Sequence, residues 1–315
     1  MKIAILDAAT LGNDIDLSLF DSLGEVCVYP LTEASLIPER IKDCDVCIIN
    51  KVKLNGNVLK SAQSLKLICV AATGYDNIDT EYCKQNGIAV CNVAGYSANS
   101  VSQLTLAMVL SASVNLNSFR NAVVDGRYSK GSVQNILTPV YHELAGMVWG
   151  IVGYGGIGKK VGAAAKALGC RVVVNKRTPV PDEECLPLCE LLKISDIVTV
   201  HVPLTNETRG MIGEKELSLM KNGAFLVNVA RGAVTDEAAV AEAVLSGKLG
   251  FFGCDVYSTE PMPESHPFYA IKNLENVCLT PHMAWGAFEA RERCMNEIKQ
   301  NIISFSNGEK RNRIV

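Results

Sequence analysis

Residues 148–169, VWGIVGYGGIGKKVGAAAKALG, decide the fold of this chain. A mostly apolar run is followed by the pattern Gly-x-Gly-x-x-Gly at Gly153, Gly155 and Gly158, and then by an alanine-rich run typical of a helix. In such a turn the first glycine permits the tight bend, the second lets a pyrophosphate approach the backbone, and the third lets helix and strand pack closely. Amides at the positive end of the helix would hold the anion. The stretch therefore predicts a strand, a turn and a helix that together bind a dinucleotide.

Short apolar runs alternate with amphipathic runs on both sides of this unit. The apolar runs are continuous, which is typical of strands covered by helices on both faces. Strands and helices that alternate in two successive series predict an α/β fold with two doubly wound, Rossmann-like parallel sheets. The other predicted strands are KIAILD (2–7), EVCVYP (25–30), VCIIN (46–50), LKLICVAAT (65–73), IAVCNV (88–93), RVVVN (171–175), DIVTVHV (196–202), AFLVNVA (224–230), FFGCDV (251–256) and VCLTPH (277–282).

Two long helices are also predicted. Residues 100–120, SVSQLTLAMVLSASVNLNSFR, are mostly apolar and predict one helix that connects the two series of strands. A second helix is predicted from about residue 289 to residue 307, and we expect it to pack on the first part of the chain.

The composition excludes several classes of protein. Of the 315 residues, 48% are hydrophobic and 20% are charged, which is typical of a globular chain. Thirty basic and 33 acidic residues give a net charge of -3, so no basic field is available to bind nucleic acid or an anionic membrane. No apolar run reaches the ~18 residues of a membrane span, and the N-terminal sequence lacks the features of a signal peptide. We expect a cytoplasmic protein without nucleic-acid or membrane partners.

The 12 cysteines are scattered singly, mostly within apolar runs. The one Cys-x-x-Cys, formed by Cys44 and Cys47, has no second pair or histidine cluster to complete a zinc site. Buried cysteines in a reducing compartment are the favoured interpretation, and a redox role for this pair is the alternative. No metal site is expected.

The strand after the glycine turn indicates which dinucleotide is bound. An acidic residue at the end of this strand normally accepts hydrogen bonds from the adenosine ribose of NAD, but the strand ends VVVNKRTP. Asn175, Lys176, Arg177 and Thr178 lie there instead. Lysine and arginine would neutralise a 2′-phosphate and threonine can donate to it, which favours NADP over NAD. Solvated loop charges with NAD bound are the alternative, with Asp182 as a ribose ligand.

Three later segments place titratable residues where strands end, the edge at which open α/β sheets bind ligands. Arg231 lies in NVARG, Glu260 in DVYSTEP and His282 in LTPHMAW. Arginine is suited to a bidentate grip on a carboxylate. A histidine beside a carboxylate is suited to proton transfer near pH 7. Each residue alone is ordinary, and only the set of three indicates a catalytic site.

The glycine turn, HVPLT, NVARG, the Glu-Pro of DVYSTEP and PHMAW, in this order, resemble the D-isomer-specific 2-hydroxyacid dehydrogenases. The match extends over essentially the whole chain, from ATGYDNID (72–79) to the terminal helix. Within the family, ATGYDNID, NVAGYS, PHMAW and NGEKRNRIV are most similar to the glycerate dehydrogenase (hydroxypyruvate reductase) branch.

This resemblance implies an activity and an architecture. The activity is NAD(P)H-dependent reduction of a small 2-oxo acid, with hydroxypyruvate or glyoxylate favoured, to the D-2-hydroxy acid. The architecture is a substrate domain over 1–98 and 289–315, a dinucleotide-binding domain over 99–288, and an active-site cleft between them. A homodimer is also implied.

The resemblance further implies roles for individual residues. His282 donates the proton to the carbonyl oxygen, Glu260 pairs with its other ring nitrogen, and Arg231 holds the substrate carboxylate and carbonyl. The expected coenzyme contacts are Gly153, Gly155, Gly156, Ile157, Gly158, Asn175, Lys176, Arg177, Thr178, His201, Val202, Pro203, Thr208, Val229, Ala230 and Asp255, the last at the nicotinamide carboxamide. The expected substrate contacts are Arg231, Lys51, Trp285 and the loop of Thr73, Gly74 and Tyr75, whose amides resemble a second carboxylate-binding loop.

The sequence departs from the family pattern in two places. Lys176 stands where the family usually has the ribose Asp, which supports NADP. In the long helix, the family's common Ala-Glu-His is replaced by Ser102, Gln103 and Leu104, which removes a carboxylate near the coenzyme.

Other functions stay open at this point. A sibling enzyme would act on pyruvate, as a D-lactate dehydrogenase does, or on a bulkier 2-oxo acid, with side-chain contacts around Asn50, Lys51, Tyr75 and Trp285. A coenzyme-sensing scaffold, like the corepressors built on this fold, is a remote alternative. We do not expect a formate dehydrogenase, which has Gln where Glu260 stands, or a phosphoglycerate dehydrogenase of the long type, since no regulatory extension follows Val315.

Overall fold

The computed structural model describes residues 1–315 and divides into two units. One unit consists of Met1–Ser97 and Trp285–Val315, and the other of Ala98–Ala284. Each contains one parallel sheet with helices packed against it, which confirms the predicted α/β fold.

The functional domains expected over 1–98 with 289–315 and over 99–288 stay predictions. In the structure the second unit ends at Ala284, before residue 288. Trp285 and Ala287 instead pack against the hydrophobic core of the first unit.

The sheet of the first unit has five parallel strands. They are β1 (Lys2–Ile5), β2 (Glu25–Val28), β3 (Val46–Ile49), β4 (Leu67–Val70) and β5 (Ala89–Cys91). Their order across the sheet is β2-β1-β3-β4-β5. β3 and β4 are buried along their whole length, which is why their sequences are continuous apolar runs.

Helices pack against this sheet to form two hydrophobic clusters. The helices are α1 (Ile37–Ile41), α2 (Gly56–Leu59), α3 (Thr80–Gln85) and the terminal helix (Phe288–Ser306). The terminal helix buries Cys294, Ile298 and Ile302 in one cluster together with Ile3 of β1. The last helix of the chain therefore contributes to the core of the first unit.

The sheet of the second unit has seven parallel strands. They are β6 (Val148–Val152), β7 (Arg171–Asn175), β8 (Glu184–Cys185), β9 (Ile197–Val200), β10 (Ala224–Asn228), β11 (Leu249–Cys254) and β12 (Val277–Leu279). Their order is β12-β11-β10-β9-β6-β7-β8. From β6 the chain proceeds outward to β7 and β8 and then returns to β9 on the other side of β6. This reversal creates a switch point, where open α/β sheets bind ligands at the carboxyl ends of the strands.

Six α-helices belong to the second unit. They are α4 (Ala98–Ser113), α5 (Leu116–Val124), α6 (Gly156–Ala167), α7 (Leu188–Ile194), α8 (Glu214–Leu219) and α9 (Glu237–Leu245). α7, α8 and α9 bury Leu191, Leu217 and Val240 in one cluster with the sheet, and α4 packs on α6. None of the helices in either unit is both long and apolar enough to cross a lipid bilayer.

The single helix predicted over 100–120 is wrong, because the structure has two helices there. α4 ends at Ser113 and α5 begins at Leu116. Between them Asn115 has a left-handed backbone with φ +48°, a conformation that asparagine adopts more readily than most residues. The Asn115 amide donates to the carbonyl of Ala112, three residues back, and the left-handed residue turns the chain before α5.

All 12 cysteines are free. Cys44 and Cys47 are both buried, and burial raises the pKa of each thiol. A thiol that is held protonated is a poor nucleophile. The structure therefore favours the interpretation of these residues as buried core side chains.

Candidate active site

The glycine turn lies between β6 and α6. Gly153 has φ +93°, a conformation that glycine adopts without strain. A methyl group on Gly158 would clash with the Gly153 carbonyl, so a glycine is required for the close approach of helix and turn. A methyl group on Gly155 would meet no atom within 4 Å. The space in front of Gly155 is therefore open to a ligand.

The first turn of α6 presents backbone amides beside that space. Its first helical hydrogen bond runs from the Lys159 amide to the Gly155 carbonyl at 3.0 Å. The amides of Gly156, Ile157 and Gly158 come before this bond, as the first amides of any helix do. Together with the positive end of the helix, they suit the pyrophosphate of a nicotinamide dinucleotide.

The residues expected at the adenosine ribose follow β7. Lys176, Arg177 and Thr178 are exposed. The side-chain amide of Asn175 donates to the Leu186 carbonyl at 3.0 Å, which ties the end of β7 to the chain after β8. The surface after β7 is therefore cationic, while Asn175 has a structural bond of its own.

His201, Val202 and Pro203 follow directly from β9. The His201 backbone touches the glycine turn, because a methyl group on Gly153 would lie 2.7 Å from the His201 carbonyl carbon. Both ring nitrogens of His201 are buried without a hydrogen-bond partner, and burial lowers the pKa of His201 to about 3. The Thr208 hydroxyl donates to the Pro203 carbonyl at 2.6 Å and so supports this turn.

Arg231 follows β10 in a turn that Asn228 organises. The buried Asn228 side chain accepts from the Ala230 amide and donates to the Arg231 carbonyl, each at 3.0 Å. The Arg231 guanidinium donates to the Ala230 carbonyl at 2.8 Å. Val229, inside the turn, is buried. These contacts fix the backbone from which the Arg231 side chain extends.

His282 and Glu260 are brought together from the loops after β12 and β11. His282 Nδ1 lies 2.6 Å from Glu260 Oε2, and Glu260 Oε1 accepts from the Tyr257 amide at 3.0 Å. The two side chains are 22% and 31% exposed, so the pair is accessible from solvent. Because Glu260 takes the Nδ1 side of the ring, proton exchange with a substrate would take place at Nε2.

Asp255 fixes the loop that carries His282. Its side chain accepts from the Thr280 hydroxyl at 2.6 Å and from the amides of Met283 and Ala284 at 2.9 Å each. His282 has φ +52°, and these bonds on both sides of it hold that conformation. Asp255 is 1% exposed, and burial raises the pKa of its carboxyl group. Its expected contact with the nicotinamide carboxamide stays a prediction.

The substrate contacts expected in the first unit lie in loops after two of its strands. Lys51 follows β3, and its amide donates to the buried Asp7 carboxylate at 2.6 Å. Asp7 also accepts from the amides of Asn50 and Val52. The Lys51 ammonium lies 5.9 Å from the centre of the Trp285 ring. Asp7 therefore holds the backbone on both sides of Lys51.

Thr73, Gly74 and Tyr75 follow β4. The Thr73 hydroxyl donates to the Val93 carbonyl at 2.9 Å, and the Asn92 side-chain amide donates to the Thr73 carbonyl at 2.7 Å. Tyr75 is 39% exposed. The loop is therefore tied to the chain after β5 and presents a tyrosine to solvent.

Three of the buried side chains that position these loops were missed in the sequence: Asp7, Asn92 and Asn228. Asn228 ends β10, Asn92 directly follows β5 and Asp7 lies two residues after β1, and each bonds the backbone of a loop. A polar residue that directly ends a continuous apolar run is the signal that would have indicated them, because a buried polar group requires a partner.

Comparisons with known proteins identify the family. A family model described as D-isomer specific 2-hydroxyacid dehydrogenase, NAD binding domain, matches residues 106–284. The chain is 35% identical to a glycerate dehydrogenase of Methylorubrum extorquens, over 88% of this chain and 87% of that protein. It is 33% identical to a hydroxypyruvate reductase of Blautia hydrogenotrophica, over 98% of each. This chain belongs to the D-isomer-specific 2-hydroxyacid dehydrogenases.

The dehydrogenase is therefore an oxidoreductase that uses a nicotinamide coenzyme. Its fold is shared by the solved structure of an acyclic imino acid reductase in complex with NADPH and D-Arg, with a TM-score of 0.89. The two sequences are 27% identical, and the match covers 100% of both chains.

Two alanine variants separate the structural glycine from the ligand-facing one in this dehydrogenase. Gly155→Ala should change the free energy of unfolding of the coenzyme-free protein by less than about 0.5 kcal/mol, because its methyl group faces open space. It should weaken coenzyme binding by ~10-fold or more, because the methyl group would occupy the approach of the pyrophosphate. Gly158→Ala should cost about 2 kcal/mol or more of stability, because its methyl group clashes with the Gly153 carbonyl. Urea unfolding and coenzyme titration measure these effects, and unchanged coenzyme affinity in Gly155→Ala would contradict the assignment.

The buried His201 ring predicts how stability depends on pH. Its pKa of about 3 in the folded chain is below the ordinary value of 6.5, so protonation favours unfolding. The stabilisation is fully present above pH 6.5 and decreases as the pH falls toward 3, by about 2 kcal/mol at pH 5. His201→Phe should therefore lose less stability than the wild type between pH 7 and pH 5. The control is His142→Gln, which changes an exposed histidine and should lose as much stability as the wild type. Urea unfolding at the two pH values measures these losses. Equal losses in all three proteins would show that the His201 ring is not buried in its neutral form.

Proposed function

We propose that this dehydrogenase uses NADPH to reduce a small 2-oxo acid, hydroxypyruvate or glyoxylate, to the corresponding 2-hydroxy acid, which is the D isomer where the product is chiral. The observation that carries the proposal is the 2.6 Å contact between His282 Nδ1 and Glu260 Oε2. A histidine that is oriented by a carboxylate is suited to give a proton to a carbonyl oxygen, and to take it back in the reverse reaction. The names of the two relatives, glycerate dehydrogenase and hydroxypyruvate reductase, support this class of substrate.

The proposed reaction adds a hydride at C2 and a proton at the carbonyl oxygen. The bound nicotinamide supplies the hydride. Protonated His282 gives the proton through Nε2, while the Glu260 carboxylate stabilises the charged ring and fixes its orientation. Arg231 binds the substrate carboxylate with two parallel hydrogen bonds and so places C2 for reaction. Asp255 maintains the backbone conformation of His282 throughout.

Residues of the first unit are proposed as further substrate contacts. In this proposal the amides of Thr73, Gly74 and Tyr75 bind the substrate carboxylate, and Lys51 and Trp285 lie beside the substituent at C3. The hydrogen bonds that hold the backbone at Lys51 and Thr73 support the proposal, because a binding loop must keep its geometry. The working form is proposed to be a cytoplasmic homodimer, as the family resemblance implies.

The preference for NADPH is proposed from charge. A 2′-phosphate is anionic, and Lys176 and Arg177 supply two exposed cations where the strand ends. Thr178 adds a hydroxyl donor beside them. A solved protein of the same fold binds NADPH, which supports the fit of this coenzyme.

Initial rates of reduction test the proposed function. Hydroxypyruvate, glyoxylate, pyruvate and phenylpyruvate are each assayed with NADPH and with NADH. We expect the highest kcat/KM for hydroxypyruvate or glyoxylate with NADPH. A higher kcat/KM for pyruvate or phenylpyruvate would indicate a D-lactate dehydrogenase or an enzyme for bulkier 2-oxo acids, since the same acid–base pair serves any 2-oxo acid. No turnover with any of the four would contradict the proposal and favour a coenzyme-sensing scaffold.

A double variant isolates the coenzyme preference. Lys176→Ala with Arg177→Ala should lower kcat/KM for NADPH by ~10-fold or more and leave NADH nearly unchanged, because only NADPH loses partners for its phosphate. The control, Lys215→Ala with Lys272→Ala, removes two exposed charges elsewhere in the same unit and should leave kcat/KM unchanged for both coenzymes. Equal losses with NADPH and NADH in the first double variant would rule out a phosphate-binding role.

A further inference from the structure

A buried carboxylate outside the proposed catalytic set holds the loop that carries Glu260. Glu237, the first residue of α9, is 9% exposed. Its Oε1 accepts from the Ser258 amide at 2.7 Å, and its Oε2 accepts from the Ser258 hydroxyl. One side chain thus bonds both the backbone and the side chain of a residue that lies two positions before Glu260.

A buried histidine lies against the same carboxylate. His266 Nε2 is 2.9 Å from Glu237 Oε2, a close contact that is not aligned as a hydrogen bond. His266 Nδ1 accepts from the Phe268 amide at 3.2 Å, which places a ring proton on Nε2, the nitrogen near Glu237. The His266 ring also meets the Tyr257 ring edge-on, with 5.7 Å between centroids. Glu237 is therefore held between Ser258 and His266.

Tyr257 connects this anchor to both members of the acid–base pair. Its amide donates to Glu260 Oε1 at 3.0 Å, and its hydroxyl donates to the Thr280 carbonyl at 2.9 Å. Thr280 lies two residues before His282. A displacement of the peptide between Tyr257 and Ser258 would therefore disturb both partners of the 2.6 Å contact.

The same peptide packs against the turn that carries Arg231. A methyl group on Gly232, the residue after Arg231, would clash with the carbonyl carbon of Tyr257 and the amide nitrogen of Ser258. The backbones beside Arg231 and Glu260 are thus in direct contact. The chain that leaves the Arg231 turn continues into α9, at whose start Glu237 binds back to Ser258.

We propose that Glu237 is a positioning residue that, through Ser258 and Tyr257, keeps the Glu260 carboxylate on Nδ1 of His282. His266 lies against Glu237 Oε2, the oxygen that also accepts from the Ser258 hydroxyl. The effect on turnover rests on the proposed function, whereas the effect on the contact between Glu260 and His282 can be measured without turnover.

Glu237→Asp tests this inference, because it keeps the charge and withdraws the carboxylate by one methylene group. We expect kcat to fall by ~10-fold while the KM for the coenzyme stays within about 2-fold of the wild type, since only the reacting groups are displaced. In NMR spectra of the coenzyme-free protein, the titration midpoint of the His282 ring should move to lower pH by about half a unit or more, because a displaced Glu260 stabilises the imidazolium less. His282→Gln identifies the resonance among the four histidines.

The control is Glu242→Asp, the same change at an exposed position of α9, which should alter neither kcat nor the titration. If Glu237→Asp does not fold, Ser258→Ala, which removes one of the two bonds without any change of charge, is judged by the same two measurements. An unchanged His282 titration overturns the inference, even if kcat falls, because the carboxylate would then have only a structural role. If the wild type reduces no 2-oxo acid but Glu237→Asp still shifts the His282 titration, the positioning role is supported and only the proposed function is contradicted.

Discussion

Parallel pairing decides which ends of the strands meet, and the candidate residues of the second unit depend on it. All seven strands run in the same direction, so their carboxyl ends form one edge of the sheet. The glycine turn follows β6, Arg231 follows β10 and His282 follows β12. Backbone hydrogen bonds between the strands therefore place segments that are far apart in the sequence at one edge of the sheet. The loops beyond that edge must then keep a fixed conformation.

Buried polar side chains hold those loops. A carboxylate or amide taken out of water without partners costs several kcal/mol, and the loop amides and hydroxyls offset that cost only in one arrangement. Asp255 meets this condition with three donors around His282, and Asn228 meets it in the turn of Arg231. Asp7 and Asn92 do the same in the first unit. The positions of the candidate residues thus depend on buried hydrogen bonds.

The elements of the fold could be predicted because their signals are local. A continuous apolar run indicates a covered strand, and eleven strands of the two sheets lie in such runs; β8, with two residues, has no run of its own. The break between α4 and α5 was missed, because one left-handed Asn115 ends a helix without changing the apolar character of the stretch. The triad of Arg231, Glu260 and His282 could be proposed from position, since each residue follows a strand.

The bonding partners of these buried side chains could not be predicted in the same way. The partners of Asp7 lie after β3, and the partner of Glu237 lies after β11, so each bond exists only once distant segments have paired. In the sequence Glu237 follows Asp236 at the start of a helix, where a solvated carboxylate is the usual expectation. Only the burial of its side chain and the two bonds to Ser258 distinguish it.

The pH dependence of kcat/KM for 2-oxo acid reduction, compared in the wild type and in Glu260→Gln, tests the proton-donating role of His282 most directly. We expect the wild-type rate to fall as the pH rises, because only a protonated His282 can give a proton to the carbonyl oxygen. In Glu260→Gln the fall should begin at lower pH, because the charged ring has lost the carboxylate 2.6 Å from Nδ1. A wild-type profile that stays flat across the neutral range, or a fall at the same pH in both proteins, would show that this pair does not supply the proton.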